Sequence, residues 1–341
     1  MNPANPTRVA RYLASAAVKV FTGFDATADL RKALGLMVAP ETVEEMPEDK
    51  ALEGMGRRVV RALAPADQRP VCLFVTYSPD GRIWPHVISY CKDLKAGGCR
   101  LVMIVTTDRT DLKCYDPGLA VADSLIVLEN FGYDFSAWAR VLRLWPELWA
   151  APALWFANDS VYNSPSVLAS MLERVKRSVA DVVALTESTA FRRHFQSYFF
   201  VLRPNALASE PVRAFFGEMR AIFDKQKVIE TCEVPFPSIL SSAGLMVDVL
   251  YPLGLTDARA ANPTLMAWNE LLKNGFPFVK VQLLRENPMH VDLSKWRADL
   301  KACGFRMDEV EMHVGSHRIP AAALLQAPVQ KPSEKTPAAA S

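Results

Sequence analysis

The residues best suited to chemistry gather around one carboxylate, Asp159, set between Asn158 and Ser160. They follow the apolar run 153–157, which reads as a strand. The acid therefore falls at a strand's carboxyl end, where a carboxylate can hold a divalent metal, Mg²⁺ or Mn²⁺, against a diphosphate. A turn or N-cap aspartate is the plainer reading of the same residue. Upstream, Asn130 and Gly132 lie in a polar turn, and Asp134 opens an amphipathic helix over 134–149. Downstream, Thr186, Glu187 and Ser188 end the apolar run 181–185. In 192–202, period-two alternation puts His194, Gln196 and Tyr198 on one side of a strand, with Phe195 and Phe199 opposite. Glu230 and Glu233 flank the start of a helix running to about 243, where a carboxylate commonly serves the helix dipole alone.

These groups need a scaffold that presents strand ends side by side. Residues 71–77, VCLFVTY, form a continuous apolar run suited to a strand buried on both faces of a parallel sheet. A turn at 78–81 follows, then a helical face of Ile83, Val87, Cys91 and Leu94 that stops at Gly97 and Gly98, then a strand at 101–105. This is a βαβ unit with a right-handed crossover. Leu112 to Ala122 reads as a short helix or loop and 124–128 as a third strand. Helices are expected at 166–179, capped by a serine, and at 211–225 and 263–273, with an extended apolar segment reaching 284. The fold class is α/β, Rossmann-like, with a mostly parallel central sheet flanked by helices. Residues 1–69 read as a helical extension, from Val9, Leu13, Ala16 and Val20 and then Leu52, Met55, Val59 and Leu63. The catalytic domain is placed at 70–318, and 319–341, rich in Ala and Pro, as a disordered tail.

Composition narrows the function. With 39 basic against 37 acidic residues, no general charge draws the chain to nucleic acid. Six cysteines without a CxxC pair suggest reduced thiols, hence a cytoplasmic protein, with any membrane contact peripheral. No apolar run approaches the ~20 residues of a spanning helix. Neither GxGxxG nor GxxxxGK[ST] occurs, and no GxSxG turn supports a hydrolase.

Several blocks together resemble the rhamnan synthesis F family. They are Asn130-x-Gly132-Tyr133-Asp134-Phe135-x-Ala137-Trp138, Asn158-Asp159-Ser160-Val161-Tyr162, Leu185-Thr186-Glu187, His194-x-Gln196-Ser197-Tyr198-Phe199, and Asn262-Pro263-Thr264 with Trp268 and Phe276-Pro277-Phe278-x-Lys280. The resemblance covers roughly 70–288. Glu129 stands where the family often has Arg, and Asn158-Asp159-Ser160 stands where the wider fold has a pair of aspartates.

The resemblance implies a GT-A-like glycosyltransferase, a nucleoside-diphosphate sugar donor (dTDP-rhamnose as first choice) and a growing polysaccharide or lipid-linked glycan as acceptor at the inner membrane face. Asp159 would then contact metal or diphosphate. Tyr77, Asn130, Gly132, Asp134, Asn158, His194 and Gln196 would line the donor site. Glu233 is the first choice for the base, with Glu187 the alternative. Lys280 and Arg285 can neutralise pyrophosphate or simply be solvated, whereas Trp138, Trp145 and Trp155 fall on core positions. A catalytically inactive nucleotide-sugar-binding or scaffolding protein is the second reading.

Overall fold

Strand β2, Val71–Tyr77, is the centre of the sheet, and its alternation explains the layers on either side. Val71, Leu73 and Val75 point into one apolar core while Cys72 and Phe74 point into another. A strand buried on both faces needs a continuous apolar run, and this one has it. The computed structural model of the chain describes residue 52 and residues 54–316, apart from 191, 223, 258 and 259.

In chain order come β1 (Arg57–Arg61), β2, α1 (Pro85–Ala96), β3 (Arg100–Thr107), β4 (Ser124–Glu129), α2 (Tyr133–Leu144), β5 (Leu154–Asn158), β6 (Val161–Asn163) and α3 (Pro165–Arg177). They are followed by β7 (Val182–Ser188), β8 (His194–Phe195), β9 (Phe199–Leu202), α4 (Pro204–Ala208), α5 (Glu210–Gly217), α6 (Lys225–Val228), α7 (Phe236–Ser242) and β10 (Val247–Tyr251). The last elements are α8 (Pro263–Met266), α9 (Trp268–Lys273), β11 (Phe278–Lys280), α10 (Val281–Glu286), α11 (Trp296–Ala302) and α12 (Met307–Gly315).

Among the described residues the main sheet runs β1-β4-β3-β2-β5-β9-β7-β10, with β8 paired to β7. Every neighbour pair from β4 to β5 is parallel, as is β7 with β10. Strand β9 runs against both β5 and β7, and β1 against β4. Strands β2, β3, β4, β5, β7 and β10 therefore share one direction and deliver their carboxyl ends to one rim. This is an α/β fold with a mostly parallel sheet between helices. Helices α2, α4, α5 and α7 cover one face, and α1, α3 and α9 the other. A third core, built on Trp268, Trp296, Leu284 and Val310, joins the C-terminal helices to Tyr162. Helix α12 is tied to α1 where Arg306 grips Asp93 with both terminal nitrogens at 2.7 Å, and Asn163 adds a bond to the same carboxylate at 2.7 Å.

Several expectations change. The periodicity of Leu52, Met55, Val59 and Leu63 predicts helix, yet 57–61 forms strand β1 on the edge of the sheet. Leu52, Met55 and Leu63 do pack on one core, but Val59 is 43% exposed, so the stripe is not that of one helix. The helix expected to reach 149 ends at Leu144, because Pro146 opens a 3-10 turn. The helix expected to run to 225 ends at Gly217, the one over 263–273 breaks at Ala267, and the segment expected to stay extended to 284 turns into α10 at Val281. Residues 192–202 do not form one strand, since 196–198 loop out between β8 and β9. The serine at the start of α3 is Ser164, and its hydroxyl bonds the Cys303 carbonyl rather than capping the helix. Glu233 closes a π-helical turn, Ile229–Glu233, whose Val234 N–H reaches five residues back to the Ile229 carbonyl at 2.9 Å. Helices α11 and α12 and strand β10 are additions to the sequence reading. The helical stripe Val9 to Val20 and the tail 319–341 lie outside the described residues.

All six cysteines are free, four of them buried. Among the described residues no helix is long and apolar enough to cross a membrane.

Candidate functional site

The carboxyl ends of β2 and β5 hold Asp159 from two sides. Thr76 Oγ1 donates to Asp159 Oδ2 at 2.7 Å and the Tyr77 amide donates to the same oxygen at 2.9 Å. Burial pushes this carboxyl up from its usual range, and the two hydrogen bonds work against that shift. Asp159 is therefore a positioned strand-end acid.

Asp134 approaches from the start of α2. Its Oδ2 accepts Asn158 Nδ2 at 2.6 Å, while Asn158 Oδ1 accepts both the Ser160 hydroxyl at 2.6 Å and the Ser160 amide at 3.1 Å. Burial, followed by the Asp159 charge, pushes the Asp134 carboxyl up to about 7. Glu233 adds to the rise, and Lys280 opposes it. Two acids and a third thus crowd one polar space, which keeps a proton on Asp134 near neutrality.

The turn before α2 is built for this placement. Gly132 has φ +83°, and a Cβ there would lie 2.2 Å from Ser136 Oγ and 2.8 Å from the Ala221 Cα. Tyr133, next in line, also has positive φ, at 56°. Two successive left-handed residues are costly for all but glycine, so packing pins this bend. Gly132 is thereby accounted for by close packing within the protein itself.

Glu233 enters from the π-turn. Its Oε1 accepts the Ser197 hydroxyl at 2.7 Å, and its Oε2 lies 3.7 Å from His194 Nε2. The other ring nitrogen of His194 bonds the Arg192 carbonyl at 2.7 Å, which makes Nδ1 the protonated nitrogen. His194 Nε2 is then an acceptor, so it lies beside Glu233 without a hydrogen bond to it. Lys280, on β11 opposite Val161, sets its Nζ 3.4 Å from Ser160 Oγ and 4.3 Å from the Tyr198 ring centre.

A second polar group extends along the same rim. Tyr77 Oη donates to Asp108 Oδ2 at 2.5 Å, and Asn130 Nδ2 donates to Asp108 Oδ1 at 2.8 Å. Burial and this bond push the Tyr77 phenol up to about 12. Hydrogen bonds run unbroken from Asn130 through Asp108 and Tyr77 to Asp159, so the ends of β2, β3, β4 and β5 form one surface.

Of the residues singled out in the sequence, Tyr77, Asn130, Asp134, Asn158, Asp159, His194 and Glu233 come together here. Gln196 is buried elsewhere, its amide shared among Thr186, Asn262 and Thr264 at 2.8–3.2 Å. That network also explains the Asn262-Pro263-Thr264 block, which fastens α8 to β7. Glu187 accepts Arg193 Nε at 2.7 Å and makes no contact with the Asp134–Glu233 group. Glu129, where the family often has Arg, accepts the Gly56 amide at 2.9 Å and so helps hold β1 to the end of β4. Sequence reasoning passed over Asp108 and Ser197. Asp108 carried the same strand-end signal as Asp159; Ser197 carried none, because its role depends on the loop between β8 and β9.

Residues 107–299, more than half of the chain, match the sequence profile of the family described as rhamnan synthesis protein F. The chain belongs to that family. The family is named for rhamnan synthesis. Among characterised sequences, the virulence protein VirA of Vibrio anguillarum is 29% identical over 198 residues, a match covering 49% of this chain and 64% of VirA. The chain thus spans less than two thirds of that relative's length. Among solved structures, the inositol-1-phosphate CTP transferase from T. maritima aligns with a TM-score of 0.33 at 14% identity, over 55% of this chain and 86% of that one.

Proposed function

We propose that this rhamnan synthesis F protein is a GT-A-like glycosyltransferase that moves a sugar, with rhamnose as first choice, from a nucleoside diphosphate to a polysaccharide or lipid-linked acceptor at the cytoplasmic membrane face. The observation that carries the reading is Asp159, held at the joined ends of β2 and β5 beside a second acid titrating at about 7. Family membership and a parallel sheet presenting its strand ends support it.

In this reading the acceptor hydroxyl attacks the anomeric carbon. The bond from that carbon to the diphosphate oxygen breaks, and the electron pair leaves with the nucleoside diphosphate. The hydroxyl proton passes to Glu233, which the Ser197 hydroxyl orients. Attack on the face opposite the leaving group inverts the centre. Asp134 and Asn158 bind sugar hydroxyls, and Tyr77, Asp108 and Asn130 take the nucleoside. Asp159 and Asp134, with the neutral oxygens of Asn158 and Ser160, fit a hard oxygen-seeking cation, because their mutual repulsion is what a cation relieves. When bound, such an ion would add positive charge beside the departing diphosphate.

Titration calorimetry with a panel of nucleoside-diphosphate sugars, with and without Mn²⁺ or Mg²⁺, tests the proposal on wild type, Asp159→Ala and Glu233→Gln. One donor should bind wild type and bind Asp159→Ala at least about tenfold more weakly. Glu233→Gln should retain the donor and lose transfer by about 100-fold or more. Absence of binding to every donor would end the transferase reading. Binding without turnover, unaffected by Glu233→Gln, would instead identify a scaffold.

A further inference from the structure

One guanidinium near the site makes no hydrogen bond of its own to the described residues. Arg285, on α10, makes no hydrogen bond or salt bridge to a described residue, and its Nε is buried without a partner. Buried polar atoms are normally paired, and here the half-buried side chain leaves one that is not. Its charge is nevertheless felt at the site, where it lowers the Asp159 carboxyl and the Tyr162 phenol against the larger effect of burial.

The local fold delivers this group together with a second cation. Strand β11 pairs antiparallel with β6, so Lys280 stands opposite Val161, just past the Asn158-Asp159-Ser160 turn. The next residue, Val281, donates its amide to the Ser160 carbonyl at 2.9 Å and begins α10, which brings Arg285 round one turn later. Lys280 acts electrostatically on Asp134, and Arg285 on Asp159. Two cations on consecutive elements, β11 and α10, thus act on the two acids Asp134 and Asp159.

We infer that Lys280 and Arg285 form a clamp for the diphosphate of the donor, holding it without requiring a divalent cation. The inference rests on the donor-binding reading of the site. A guanidinium presents paired N–H groups to phosphate oxygens, and an ammonium supplies a point charge beside them. The bound anion would supply the partner that Arg285 lacks. A metal at Asp159 would add to this charge.

The test is calorimetric binding of inorganic pyrophosphate, and of dTDP, in EDTA and again in Mg²⁺, to wild type, Arg285→Met, Arg285→Lys, Lys280→Met and Arg82→Ala. Arg82 is the control: its side chain is 87% exposed and paired with Asp80. Wild type should bind pyrophosphate in EDTA. Arg285→Met and Lys280→Met should each bind at least about tenfold more weakly, Arg285→Lys should fall between, and Arg82→Ala should match wild type. Arg285→Lys keeps the charge and separates loss of the anion site from loss of folding. Binding by wild type only when Mg²⁺ is present, or unchanged binding by Arg285→Met, would overturn the clamp. Failure of the two readings separates cleanly. Pyrophosphate binding that depends on both cations without sugar turnover sinks the transferase and keeps the clamp. Turnover with unchanged KM for the donor in both methionine variants does the reverse.

Discussion

Asp134 joins stability and, in the proposed transfer, donor binding in one carboxyl. Its ordinary value lies near 4 and its value here is about 7, so the folded chain binds a proton that the unfolded chain releases across that window. Stability from this group is present at low pH and is lost as pH rises through 7. Asp134→Asn should therefore be more stable than wild type at pH 8, on the order of 2 kcal/mol, and equal to it near pH 4, as read from urea unfolding at the two pH values. Donor turnover should fall at least about tenfold in the same variant. His86 works in the opposite sense. It is buried against His313, ring centres 4.2 Å apart, and beside Tyr162, and its Nδ1 has no partner among the described residues. Burial and then the His313 charge pull its imidazole down to about 3. The unfolded chain takes up this proton below pH 6.5, so stability is lost as pH falls, by up to ~1.4 kcal/mol per unit between about 6.5 and 3. His86→Phe keeps a ring in the stack and should flatten the acid limb of a plot of melting temperature against pH.

At the scale of elements, the turn into α2 is the least forgiving part of the site. Gly132→Ala combines positive φ with contacts of 2.2 and 2.8 Å, so a loss of at least ~2 kcal/mol is expected. Because the bend aims Asp134, donor affinity should drop with stability, whereas a remote core variant of equal cost should spare it. This also marks how far a sequence can be read. Strand β2 was legible because a run buried on both faces is apolar throughout, and Asp159 because an acid after such a run must fall at a strand end. Strand β1 was not, since RRVVR becomes a strand only by pairing with β4, a partner 60 residues or more away. His194 and Gln196 were assigned one face of a single strand. The strand stops at Phe195, so His194 stays on β8 beside Glu233 while Gln196 leaves it for the Thr186–Thr264 network. Periodicity records side, not destination.

At the scale of the whole molecule, the third apolar core that joins the C-terminal helices to the rest is supplemented by one carboxylate. Asp93 on α1 accepts two bonds from Arg306 and one from Asn163, and so ties the C-terminal helices and the β6–β11 ribbon to the sheet. Asp93→Ala removes three charge-assisted bonds at a half-buried position, for an expected loss of ~2–3 kcal/mol in urea unfolding. The ribbon carries Lys280 and leads into Arg285, so the same variant should weaken pyrophosphate binding although Asp93 touches no ligand. Native-state hydrogen exchange should show the amides of β11 and α10 opening sooner while those of β2 and β3 keep their protection. The acids of the site stand on the sheet and its two flanking turns, but the cations arrive on an appended layer.

A π-helical turn is an α-helix with one residue too many, and Ile229–Glu233 places that surplus immediately before the α7 segment. Deleting a single codon between 229 and 232 would let the turn relax to α geometry and swing Glu233 by about 100° relative to the helix behind it. The apolar layers of the sheet do not depend on this codon, so such a lineage would keep its fold and lose its partner at Ser197. If Glu233 is the base proposed above, one in-frame deletion here would silence transfer and spare the fold, and assaying that deletion variant for donor binding and for turnover would show the two separating.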